Sequence, residues 1–92
     1  MADNTERLEQ LRKVLEKEVR LPSIYMFKFI VPNNNHSLAL VMSLFDESSE
    51  INSRVSANGK YISLTAREMM LSVDSIIEKY KSAFTIEGLI AL

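Results

Sequence analysis

Ile51-Asn52-Ser53-Arg54-Val55-Ser56-Ala57-Asn58-Gly59-Lys60-Tyr61-Ile62-Ser63-Leu64-Thr65-Ala66 decides the fold. An Asn-Gly pair between two extended runs signals a hairpin, because both central residues of a type I′ turn need positive φ. Centring the loop on Asn58-Gly59 pairs Val55 with Ile62, Ser53 with Leu64 and Ile51 with Ala66, a mostly apolar face. The opposite face then pairs Ser56 with Tyr61, Arg54 with Ser63, Asn52 with Thr65 and Glu50 with Arg67, a polar one. Side chains alternate across a strand, so a one-residue slip would put the apolar set in water. One register satisfies both sides.

Working outward, residues 24–31 are aromatic and β-branched, lie between Pro22 and Pro32, and are too few for a typical helix. They read as a first strand, with Phe27, Phe29 and Val31 toward the core and Met26, Lys28 and Ile30 outward. Asn33-Asn34-Asn35 offers a cap for a helix over residues 37–47, where Leu38, Val41, Met42 and Phe45 follow the i, i+3, i+4, i+7 rule. Leu40 and Leu44 widen that apolar band. Beyond the hairpin, Met69 and Met70 are expected as gap-filling core. Ser72 caps a second helix, in which Val73, Ile76, Ile77 and Tyr80 face inward while Asp74, Glu78, Lys79 and Lys81 point away. Residues 86–92 close the chain as a strand with a bulge or close approach at Gly88.

At the other end, residues 3–20 carry Leu8, Leu11 and Leu15 on one stripe of an amphipathic helix. Asp3 and Glu6 have the spacing of a capping box, and Pro22 ends the helix. The chain therefore divides into an N-terminal helix, 1–22, and a βαββαβ unit, 23–92. A hairpin between two strand–helix units is the α+β, ferredoxin-like plan: a four-stranded antiparallel sheet, two helices on one face, and here an extra N-terminal helix. Its strand order, 4-1-3-2, leaves the second face bare. Lys28, Tyr61, Ser63 and Thr65 fall near the middle of that face, with Arg54 and Ser56 beside them.

Composition narrows the chemistry. The 92 residues include no Cys and a single His, His36, so no disulfide and none of the usual zinc sites is available. Eleven Lys+Arg against twelve Asp+Glu give a formal charge of −1, which supplies no overall attraction to nucleic acid or anionic membrane. No apolar stretch approaches the ~20 residues of a membrane span, and the acidic N-terminus is unlike a signal peptide. A cytoplasmic protein is expected. A hydrolytic triad is not evident, since His36 has no predicted acid partner.

From about Tyr25 to Leu92 the chain resembles the YbeD-like family, small bacterial proteins of uncharacterised function with a ferredoxin-like fold reminiscent of ACT regulatory domains. The resemblance is carried by Ser56, Gly59, Tyr61 and Ser63, which match the family's Ser-Ser-Lys-Gly-Asn-Tyr-x-Ser segment, by Phe27-Lys28-Phe29, and by the apolar end Leu89-Ile90-Ala91-Leu92. Ala57 stands in place of a Ser and Asn58 in place of Lys, and the N-terminal helix is longer than typical. The resemblance implies the fold and, since the family has no settled activity, hardly bears on the function.

Three readings follow. The first is a non-enzymatic regulatory or interaction module, without cofactor or metal, that binds a protein partner or a small anionic metabolite, alone or as a homodimer. Lys28, Arg54, Ser56, Tyr61, Ser63, Thr65 and Arg67 are its candidate binding residues, offering donors, cations and one aromatic. The ordinary alternative is a solvated β face with cross-strand pairs. Leu8, Leu11, Leu15, Leu40 and Leu44 are candidates for self-association, against docking of the N-terminal helix on its own domain. The second reading is an RNA-binding domain, disfavoured because Phe27 and Phe29 are assigned to the core and the RNP1 pattern is absent. The third is a small metal-dependent hydrolase or nuclease, for which Asp46 and Glu47 are the sole local acidic pair.

Overall fold

Alternating side chains build the sheet, and a computed structural model describes residues 4–92 of the chain. The elements are α1 (Asn4–Glu18), β1 (Ser23–Pro32), α2 (Asn35–Met42), β2 (Glu50–Val55), β3 (Tyr61–Met70), α3 (Val73–Ala83) and β4 (Ile90–Ala91). The architecture is α+β: three helices and one four-stranded sheet in the order β2-β3-β1-β4, with every neighbouring pair antiparallel. Read from its other edge the order is β4-β1-β3-β2, with β1 and β3 central. Asp3 of the expected capping box lies outside the described residues.

The hairpin takes the expected register from Glu50↔Arg67 to Val55↔Ile62. Its turn does not take the expected form. Only Gly59 has positive φ (72°), so Asn58 is not in a type I′ turn. Instead the Gly59 N–H donates to the Ser56 carbonyl at 2.9 Å, and the Asn58 side chain accepts from the Ser56 hydroxyl (2.7 Å) and the Lys60 N–H (3.0 Å). Asn58 uses its amide oxygen as a turn-former, the role Asx side chains play when they bond forward along the backbone. The loop spans Ala57 to Lys60 and keeps the same register as a two-residue turn would.

Phe27, Phe29, Val31, Leu64 and Ala66 project from β1 and β3 into one core, completely buried. Three helices cover that side: α1 through Leu8 and Leu15, α2 through Val41, and α3 through Ile76, Ile77, Tyr80 and Ala83. Burying side chains of this size contributes about 2 kcal/mol or more each. Aromatic rings fill the centre, with Phe27 packed against Tyr25, Phe29, Phe45 and Tyr80. α1 docks on α3, joined also by an Arg12–Asp74 ion pair and by the Arg7 guanidinium 5.3 Å from the Phe84 ring centroid. Its leucine stripe shares the core with the βαββαβ segment.

Several local expectations are corrected. α2 stops at Met42 rather than residue 47, capped at its start by Asn34. Past Val41 the chain tightens into i→i+3 bonds, Leu44 N–H to Val41 O and Phe45 N–H to Met42 O, while the Ser43 hydroxyl bonds back to the Leu40 carbonyl. This swings Phe45 into the core and leaves Met42 exposed. Met69 and Met70 are neighbours on a strand and so face opposite ways: Met70 is buried and Met69 is not. Lys79 does not point away from the protein but lies 2.9 Å from Glu68 on the core side of β3. β4 is two residues long, and Gly88 sits before it with φ 79°, close against Pro32.

Candidate interaction face of the sheet

Register alone places the residues of the uncovered face. Arg54 of β2 pairs with Ser63 of β3, Ser63 with Ile30 of β1, and Ile30 with Ile90 of β4, so one row crosses all four strands. The next rows are Asn52–Thr65–Lys28 and Glu50–Arg67–Met26, followed by Met69–Ile24. Successive rows stand about 7 Å apart, two residues of strand rise. Arg54, Ser63, Ile30 and Ile90, with Ser56 and Tyr61, line a shallow depression of ≈ 450 Å³. Four of the seven binding candidates from sequence thus meet in one place. Lys28 and Thr65 lie one row along, and Arg67 two.

The Ser56 hydroxyl is committed to its own turn: it donates to Asn58 and accepts the Tyr61 N–H at 3.1 Å. Its role is to hold the hairpin that presents Arg54 and Tyr61. Arg67 faces Glu50 at 3.9 Å, an exposed pair worth at most a few tenths of a kcal/mol (~0.3). Lys28 and Arg54 form no ion pair among the described residues. The face therefore carries three cations, Lys28, Arg54 and Arg67, against one carboxylate, Glu50, in a chain whose net charge is −1.

This face is less polar than the hairpin alone suggested. Ile24, Met26, Tyr61, Met69 and Ile90 are each 44–58% exposed on it. The hairpin supplies the polar half and β1 with β4 the apolar half. Ile90 escaped the sequence reading, although assigning Ile30 outward and the last strand beside the first would have found it. Phe27 and Phe29 are inside, which leaves Tyr61 as the aromatic of this face.

The self-association candidates divide. Leu8 and Leu15 are spent in the chain's own core, Leu11 and Leu44 pack half-buried against it, and Leu40 is exposed. A groove of ≈ 430 Å³ along Leu8, Arg12, Ile77 and Phe84 is the seam where α1 docks. Asp46 accepts bonds from the Ser48 hydroxyl and N–H, which hold its carboxyl below the usual range. No three of His, Asp or Glu come together as metal ligands among the described residues, and no described helix is long and apolar enough to cross a membrane.

Comparison of the chain with protein-family models, with curated proteins and with solved structures gives no match.

Proposed function

We propose that the chain is a non-enzymatic, ferredoxin-like interaction module that engages a protein partner through the uncovered face of its sheet. The βαββαβ order with β1 and β3 central supports the fold reading. The observation that carries the function is the set of five half-exposed large apolar residues on one sheet face, interleaved with three cations. Large apolar residues grouped on one open face among cations mark a docking surface, whereas singly scattered apolar residues do not. A small anionic metabolite is the second reading, favoured by the depression in which Arg54, Tyr61 and Ser63 converge.

Photo-crosslinking in cells separates these readings. A photoreactive residue at Ile90 or Tyr61 gives a discrete protein adduct, and one at Lys17 on α1 gives none. Adducts from Lys17 alone would contradict the reading. A thermal shift on adding small carboxylates or phosphates, lost on Arg54→Ala, with no adduct at either face position, would transfer the assignment to the metabolite.

A further inference from the structure

We infer that the partner element seated on this face is an amphipathic helix carrying carboxylates, with apolar side chains at its two ends and acidic ones between. The inference rests on the reading of the face given above and names the chemistry of its partner. Along β1 the outward residues run Ile24, Met26, Lys28, Ile30, and Ile30 is joined sideways by Ile90 and the Tyr61 ring. The face is thus apolar at one end (Ile30, Ile90, Tyr61) and at the other (Met26, Ile24, Met69), with the Lys28 cation between them beside the exposed Leu92, whose N–H donates to the Lys28 carbonyl at 2.9 Å.

Ile30 and Met26 are four residues apart on one strand, a separation of about 13 Å. On a helix rising 1.5 Å per residue that distance is roughly two to two and a half turns, so two apolar anchors reach both ends of the face at once. A carboxylate one turn in from either anchor lies over Lys28. On the hairpin side, Arg54 flanks one anchor and Arg67 the other, placing both guanidiniums along the same flank of the docked helix.

Charge argues against a second copy of the chain. Stacking this face on itself would bring six cations together with two carboxylates, and like charges juxtaposed across an interface oppose its formation. A nucleic-acid strand would meet one aromatic ring for stacking, with aliphatic side chains where further bases would lie. An acidic amphipathic helix satisfies the cations and covers the apolar ends together.

The test is an NMR titration of the isotopically labelled full chain with three probes: an alanine-based helical peptide with leucines two turns apart and glutamates between them, the same peptide with lysines for glutamates, and phosphatidylcholine vesicles containing phosphatidylserine. The glutamate peptide is expected to shift the amides of Met26, Lys28, Ile30, Tyr61 and Ile90 saturably. Its affinity should fall about tenfold or more in the Lys28→Glu/Arg54→Glu double variant, whose unchanged thermal melt shows that the fold is kept. Equal binding of the lysine peptide at these residues overturns the acidic partner and leaves the face as an interaction surface. Preferential binding of the vesicles replaces the helix with a membrane. No shift on this face with any probe overturns both the inference and the proposed function, whereas a dimer by light scattering that Met26→Lys dissociates overturns the inference alone.

Discussion

Lys79 Nζ stands 2.9 Å from Glu68 Oε2 while pointing a proton at the Leu44 carbonyl, 2.6 Å away. The contact with Glu68 is ionic rather than an aligned hydrogen bond, and both side chains are largely withdrawn from solvent. A single ammonium therefore ties α3 to β3 and to the segment leaving α2, and it also lies 5.0 Å from the Phe45 ring centroid.

Removing that ammonium strands a carboxylate on the core side of the sheet. Lys79→Met is expected to cost about 2 kcal/mol in urea denaturation, less than for a fully buried pair because some solvent reaches both groups. Lys79→Met combined with Glu68→Met recovers most of the loss. A double variant as unstable as the single one would show that Glu68 is satisfied without Lys79.

Tyr80 gives the pH dependence. Burial, reinforced by its 3.0 Å hydrogen bond with Tyr25, pushes the phenol well above its ordinary value near 10. The unfolded chain releases this proton near pH ~10 while the folded chain retains it, so the unfolded state binds fewer protons there. Stability from this group is complete below pH ~10 and falls as pH rises beyond it. Urea midpoints measured across alkaline pH should decline, and Tyr80→Phe should flatten the decline at a cost near neutrality of about 1 kcal/mol.

The two glycines predict unequal costs. Both have positive φ, but a Cβ on Gly59 meets nothing within 4 Å, whereas one on Gly88 comes within 2.9 Å of Pro32 Cγ. Gly59→Ala is expected to lose about 1 kcal/mol and Gly88→Ala about 2 kcal/mol or more, because the second adds a steric clash to the conformational cost. Thermal melts of the two variants measure the difference, and equal costs would mean that the segment before β4 moves freely off Pro32.

How far the fold was legible follows from which signals were periodic. Ile62 and Leu64 lie inside and Tyr61 outside because strand alternation leaves a residue two choices, and the Asn58-Gly59 cue fixed which set faced in. The turn geometry was not legible: Ser56 and Asn58 settle it by exchanging side-chain bonds, and an Asn-Gly pair is compatible with either loop. Lys79 read as solvent-facing because its attraction to Glu68 is a contact between distant segments with no local trace. Among the site residues the cations were legible one at a time. The expected order placed β4 beside β1, but their convergence with Ile90 depended on the register Ile30↔Ile90, which no sequence spacing encodes.

Neighbouring residues on β1 should respond oppositely to substitution. Phe27 is fully buried and Met26 is half exposed. Phe27→Ala is expected to cost about 3–5 kcal/mol and Met26→Lys within about 0.5 kcal/mol of nothing. A large loss from Met26→Lys in chemical denaturation would mean that the open face is covered within the chain itself.

The most direct test is relaxation of the methionine methyl signals by a soluble paramagnetic agent, with the chain alone and with the glutamate-bearing peptide. Strong relaxation of Met26 and Met69 and protection of Met70 are expected in the chain alone, and protection of Met26 and Met69 once the peptide is added. Met26 and Met69 already protected in the monomeric chain, or left fully accessible at saturating peptide, would contradict a docking face on the open sheet.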